Sequence, residues 1–361
     1  MHLRSLLLAG AAALIAALGT PVAAGAAAAP STDLAPVTSD SSISAYGGWV
    51  VWSEQDPDGA WALVAWHDGA KVRLAAARRS VPFDADVGPG PDGRPTVLFS
   101  RCATEASGIT QTPWAVSQGC RLRALDPATG VERAAGVPRP AGASDSTPSR
   151  WRGRIAFQRR IPGDAVSQVM VYDIKTHRTR TLRHGAVSHH CPFGDGCPKS
   201  IFAGEVGEMD LGAKNLAFSW LVTAPAVEGA GPGWEMRIDP LSGGAPVLVG
   251  SGYTSGACGG RAPLSPNATA TGLWFLSQIA HCEDIEGLVT SASPTGALST
   301  THVPDGVAWR IARDGATVYA VLGPAHLEPA SGLPPGSLRL VRLNGVAPQP
   351  TGDRAKEPFF E

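Results

Sequence analysis

Two short acidic runs carry the first chemical signal in the chain. Phe83-Asp84-Ala85-Asp86-Val87-Gly88 and Gly207-Glu208-Met209-Asp210-Leu211-Gly212 share the order acid, any residue, acid, apolar, glycine. On a β-strand, side chains two residues apart share a face. Each pair is therefore placed to take a cation or cationic ligand, or to accept backbone N–H groups of nearby loops, the commoner use of such side chains. A second group joins His189-His190-Cys191 and Cys197 with His281-Cys282-Glu283-Asp284. Imidazole and thiolate are good zinc ligands, but Cys191 and Cys197 lack a common zinc spacing. His189, His190 and His281 are thus weak metal candidates. The expectation is a protein with no cofactor, a divalent metal being the one alternative. Glu54, Asp56 and Asp58 before Gly59 hint at a calcium loop, yet Ala65 stands where the closing acid belongs, and a plain hairpin turn is expected. No Gly-x-Ser-x-Gly elbow and no phosphate-cradling Gly-x-x-x-x-Gly-Lys-Ser/Thr motif occurs. Asn267-Ala268-Thr269 fits a glycosylation acceptor.

The elements that must position these residues are short strands. Gly and Pro number 43 and 31 in 361 residues, a turn-rich composition that argues against a helical protein. Hydrophobic residues are 43% and charged residues 17%, enough to bury a core. Lys and Arg total 30 against 31 Asp and Glu, a net charge of −1 that excludes a generally basic nucleic-acid binder. A turn followed by a β-rich run with an aromatic recurs six times, with the aromatics at Trp52, Phe99, Phe157, Phe218, Phe275 and Tyr319. A second strand run and a tight turn follow most copies, as in Val169-Met170-Val171-Tyr172-Asp173. A period of this size, with four strand signals per period and no helical pattern, predicts an all-β fold: a six-bladed β-propeller of four-stranded antiparallel blades, closed as one ring. Trp residues on these strands are expected in the core, whereas Trp114 lies between strands and is the better surface anchor.

Gly88-Pro89-Gly90-Pro91-Asp92-Gly93-Arg94-Pro95-Thr96-Val97-Leu98-Phe99-Ser100 resembles the repeat signature of TolB-like, WD40-like β-propellers. Thr147-Pro148-Ser149-Arg150-Trp151-Arg152-Gly153-Arg154-Ile155-Ala156-Phe157 is a looser match. The resemblance implies an extracytoplasmic six-bladed propeller that commonly serves as a protein-binding scaffold, and it speaks to fold better than to function. The amino-terminal domain that TolB itself carries is not evident.

Met1-His2-Leu3-Arg4, an apolar stretch from Leu6 to Leu18, and Ala24-Gly25-Ala26 have the layout of a secretory signal peptide with its cleavage site. The expected divisions are a signal peptide over 1–26, a segment over 27–41 whose candidate role is ring closure, the propeller over 42–350 and a tail over 351–361. The destination is outside the cytoplasm, as a secreted or cell-envelope protein with no transmembrane segment in the mature chain. Six cysteines in an exported chain read as disulfides. If strands are numbered outward from the channel, Cys102, Cys120, Cys191, Cys197, Cys258 and Cys282 all map to the face where second strands end. Six cysteines allow fifteen pairings, and sequence alone does not choose among them; their shared face favours the local pairs Cys102 with Cys120, Cys191 with Cys197, and Cys258 with Cys282, each contributing roughly 2 to 3.5 kcal/mol.

The functional expectation is a non-catalytic monomer that presents this braced loop face to a protein or peptide, with Asp84, Asp86, Glu208, Asp210 and Trp114 as binding residues. The alternative is a hydrolase or lyase at the channel mouth, with or without a divalent metal. Peptide mapping of the unreduced protein is expected to return the three local pairs and no free thiol; any pair joining distant loops overturns the pairing.

Overall fold

The computed structural model describes residues 31–105, 117–164, 166–184, 186–188, 201–223, 230–255, 260–270, 272–281, 284–303, 306–325, 338–346 and 348–354. Every regular element among them is a strand, so no helix there is long and apolar enough to cross a membrane. The amino-terminal strand is β1 (Ser31–Val37). Blade one holds β2 (Ser44–Tyr46), β3 (Trp49–Gln55), β4 (Trp61–His67) and β5 (Ala70–Arg73). Blade two holds β6 (Asp86–Pro89), β7 (Pro95–Arg101), β8 (Arg121–Leu125) and β9 (Glu132–Ala134), and blade three β10 (Ser144–Trp151), β11 (Arg154–Arg160), β12 (Gln168–Asp173) and β13 (Arg178–His184). The short β14 (Ala186–Ser188) lies beside blade four, which is β15 (Ile201–Leu211), β16 (Asn215–Thr223), β17 (Ala230–Pro240) and β18 (Val247–Ser255). Blade five is β19 (Gly260–Thr269), β20 (Gly272–His281), β21 (Asp284–Ala292) and β22 (Ala297–His302). Blade six is β23 (Val307–Asp314), β24 (Thr317–Gly323) and β25 (Leu338–Leu343).

The sixth blade takes its fourth strand from the other end of the chain. β1 pairs antiparallel with β25, from Ser31 opposite Leu343 to Val37 opposite Leu338. The ring is thereby closed by hydrogen bonds between the two ends. The last strand, β26 (Gln349–Arg354), pairs with β22 and adds a fifth strand to the outside of blade five. The sequence expectation of six four-stranded antiparallel blades is met.

The core is distributed. Six apolar clusters each fill the space between two neighbouring blades. Alternate residues of each second strand serve opposite neighbours, because side chains alternate across a strand. In β7, Phe99 packs toward blade one and Leu98 toward blade three. All six repeat aromatics are buried, none more than 6% exposed. Trp52, Phe99, Phe157, Phe218 and Phe275 face the preceding blade. Tyr319 differs: it packs toward blade one, the following blade, and Val318 and Ala320 fill the space toward blade five. The sixth copy is shifted by one residue relative to its face.

Turns between first and second strands, and between third and fourth, open on one face of the disc. Gly47, Gly48, Gly93 and Gly315 stand in these turns with φ between 59° and 84°, the region glycine enters without a Cβ penalty. The connections from second to third strands, and from blade to blade, open on the other face, which carries the longest ones. Removing residues 31–37 is expected to lower the melting temperature sharply and promote aggregation. Burial of Val37 alone contributes roughly 2 kcal/mol, and β25 would become an open edge. An unchanged melt in the truncated protein would show that β1 does not hold the ring shut.

Candidate functional site

The innermost strands surround the central channel and leave backbone N–H groups on an edge that no strand covers. The sequence supplies partners for them from the neighbouring blade. Ser44, Asp86, Ser149, Asp210 and Asn267 stand at equivalent places, each paired with the residue before the repeat aromatic. Ser44 Oγ accepts from Val87 N at 3.0 Å, Asp86 Oδ2 from Arg150 N at 2.9 Å, Ser149 Oγ from Leu211 N at 2.8 Å and Asp210 Oδ2 from Ala268 N at 2.5 Å. Asn267 continues the series by donating to Ile311 O at 3.5 Å. Blade six carries Ala312 at this place, and the contact to blade one passes to Asp314, whose Oδ2 accepts from Gly48 N at 2.8 Å.

A second tier lies two residues earlier, nearer the loop face. Asp84 Oδ2 accepts from Thr147 N at 2.7 Å and its Oδ1 from Ser100 N at 2.8 Å. Glu208 accepts from Ser265 N, and Ser265 Oγ accepts from Ile311 N at 3.3 Å. Glu208 also receives the Ser42 hydroxyl from blade one, on the opposite side of the channel. Arg310 of blade six stands 3.0 Å from Asp40 and 3.9 Å from Glu208, so it ties down the segment that links β1 to blade one. Asp40 is buried enough that its carboxyl is raised above the ordinary range despite Arg310.

These tiers enclose a cavity of about 80 Å³, room for a few waters. Asp84, Asp86, Glu208 and Asp210 all line it, with Ser44, Asn267 and Arg313. The Arg313 guanidinium stacks over Trp274 at 4.6 Å, and burial lowers its pKa. Ser149 bridges the two central carboxyls, 3.0 Å from Asp86 and 3.5 Å from Asp210. Burial, and then the charge of Asp86, push the Asp210 carboxyl up to about 8. Burial raises Asp86 as well, against three hydrogen bonds that lower it. The pair therefore holds a proton at neutral pH, and the Ser149 hydroxyl lies between its members.

The four acidic residues singled out in the sequence thus meet in one place, and each is hydrogen-bonded to backbone. Among the described residues no three His, Cys, Asp or Glu side chains converge as a metal site. Trp114, His189, His190, Cys191, Cys197, Cys258 and Cys282 lie outside the described residues, as does the side chain of His281. The 54–59 segment is a hairpin turn in which Asp56 pairs with Arg73 and Arg78 and Glu54 with Lys71. Asn267 is buried in the channel, so the glycosylation motif has no accessible acceptor. Sequence reading passed over Ser44, Ser149, Ser265 and Arg310. Aligning the repeats on their aromatics brings the two serines Ser44 and Ser149 onto the Asp210 and Asn267 positions, whereas the longer turn of blade two sets Asp86 farther from Phe99.

The remaining organised feature is on the loop face. A disulfide joins Cys102 and Cys120, the pairing expected from their positions. Beside it Ala103 N donates to Gln118 O and Thr104 pairs with Gln118. From blade one, the buried Arg79 reaches Glu105 at 2.9 Å, and Glu105 also accepts from Ser80 N and Oγ. From blade three, Asp145 N and the Arg139 guanidinium both donate to Cys120 O, and Asp145 is itself held in a buried pair with Arg159 at 2.7 Å.

No family model matches this chain, and no curated protein matches it. Solved structures with a similar arrangement include TolB from Acinetobacter baumannii, 12% identical over 83% of this chain and 64% of that one, with a TM-score of 0.42. An α-L-arabinofuranosidase from Fusarium graminearum is 8% identical over 88% of this chain and 98% of that one, TM-score 0.47. An oligogalacturonate lyase from Vibrio parahaemolyticus is 8% identical over 83% and 74%, TM-score 0.43. The chain spans 64% of the length of that TolB. At these identities the likeness is one of blade arrangement and assigns no activity.

A carboxyl whose folded pKa exceeds its unfolded value of 3.8 binds a proton that the unfolded chain releases. Stability from this group is therefore greatest at low pH and falls as pH rises from about 4 to about 8. Asp210→Asn keeps an oxygen for Ala268 N and removes the titration. Urea midpoints measured from pH 5 to 8 are expected to fall less steeply in the variant than in the parent; parallel curves would show that Asp210 is ionised throughout.

Proposed function

We propose that the protein is an exported, non-catalytic scaffold that presents the loop between β7 and β8 to a protein or peptide partner. The supporting observation is the neck of that loop. A disulfide closes it, and arginines from both sides hold it, the buried Arg79 through Glu105 on one flank and the half-buried Arg139 through Cys120 O on the other. Rigid presentation of a loop lowers the entropy lost on binding. Trp114 lies within this loop and is its aromatic anchor. The channel carboxylates, by contrast, are engaged with backbone N–H groups, which favours a structural use over substrate chemistry at the channel mouth.

The disulfide fits an oxidising compartment. In this reading residues 1–26 direct export and are removed, and the mature chain works as a monomer outside the cytoplasm. Affinity capture from the exported fraction is expected to return one specific partner. Trp114→Ala should weaken its binding about tenfold or more, the range of an aromatic anchor, with an unchanged melt. The double variant Cys102→Ser/Cys120→Ser should lose about 3 kcal/mol of stability yet stay folded, and bind more weakly. Full affinity in both variants would remove this loop from the interface.

A further inference from the structure

The turn face carries a second, electrostatic surface. Residues 144–184, which build blade three, contain nine Lys and Arg against three Asp, +6 in a chain whose net charge is −1. Part of this charge is neutralised internally: Arg159 pairs with Asp145, Arg160 with Glu205 and Arg183 with the buried Asp239. Arg150 is buried, and the remaining cations are exposed. Arg152, Arg154, Lys175 and Arg178 stand on the two turns of blade three, and Lys214 on the adjoining turn of blade four.

The turns are fixed to one another. Ile174 N donates to Gly153 O at 2.8 Å, joining the two turns of blade three. Arg154 reaches Ala213 O at 3.5 Å, and Arg180 donates to Leu241 O, so the turns of blade four lie against them. Arg152 holds φ at 52°, a position where glycine or asparagine is usual, so a cation occupies a place that local conformation alone does not favour. Acids near the cluster are few: Asp173, beside Arg154, accepts from Thr176 N and Oγ1 and offsets part of the positive charge, and Asp92 is taken by Arg94. No hydrogen bond or ion pair holds the side chains of Arg152, Lys175, Arg178 or Lys214 among the described residues.

We propose that this face of blades three and four binds an anionic polysaccharide, a linear polymer with a carboxylate or sulfate on each repeat unit. Several cations held on rigid turns match regularly spaced anions better than a single ion, and guanidinium groups pair bidentately with both anion types. An acidic polypeptide is the less suitable occupant, because peptide interfaces draw most of their affinity from apolar anchors. The exposed large hydrophobic side chains among the described residues are Val72 and Val131, on blades one and two.

The test uses the full, disulfide-intact chain against immobilised dextran sulfate and polygalacturonate, with neutral dextran and poly-L-glutamate alongside. Binding to either anionic polysaccharide is expected, strong at about 50 mM salt and greatly weakened at about 200 mM through screening of the charges. The triple variant R152E/K175E/R178E should bind about tenfold or more weakly with an unchanged melt. Arg342→Glu, an exposed change on blade six, should have little effect. K214E supplies a second measurement should the triple variant fail to fold. The proposal is overturned if neither polysaccharide binds above neutral dextran, if the blade-three and Lys214 variants keep full affinity, if Arg342→Glu loses as much, or if poly-L-glutamate binds more tightly than the polysaccharides.

Discussion

An innermost propeller strand has a neighbour on only one side, and its other edge must find hydrogen-bond partners or lose several kcal/mol of desolvation. Here the partner is a short polar side chain of the preceding blade. Ser44, Asp86, Ser149 and Asp210 each cap one N–H of the next inner strand. The device does two things at once: it satisfies the channel-side backbone and fixes the angular relation of adjacent blades. Close approach follows from it. A Cβ on Gly88 would stand 2.2 Å from Arg150 O, so blades two and three meet there with no room for a side chain.

Using carboxylates for this duty has an electrostatic consequence. Asp86 and Asp210 are brought together around Ser149, buried beside a small cavity. Like charges in a low-dielectric space raise one another's pKa, and the pair keeps a proton. The channel is therefore a hydrogen-bonded plug, with Arg310 and Glu208 above it fastening the segment that leads from the closing strand to blade one. Structural investment of a different kind appears on the loop face, where a covalent bond and two guanidinium groups, one of them buried, hold a loop neck.

Much of the architecture was legible before any coordinates. Aromatics recurring at fixed places, strand runs of period two and glycine turns led to six blades because each is a local rule about which side faces a neighbour. Cys102 and Cys120 could be paired because each lies beside the end of a strand that the repeat had already placed. The acidic runs were legible as a pair, but their partners were not. Ser44 and Ser149 look like ordinary strand residues until the repeats are superposed, and Arg310 meets Asp40 only because the ring closes. The sixth repeat misled in detail: Tyr319 matches the sequence period, yet an inserted bulge between Ala308 and Arg310 accompanies its turn toward the opposite neighbour.

By itself the sequence determined an all-β ring of six units, its two unlike faces and the residues lining its centre, since periodicity and turn chemistry act over a few residues at a time. The tertiary structure decided the rest: that β1 supplies the last strand, that the central acids serve backbone N–H groups, and that the cations of blades three and four share one face. Each of these depends on segments far apart in the chain meeting in space, and no local pattern encodes which partner a side chain will find there.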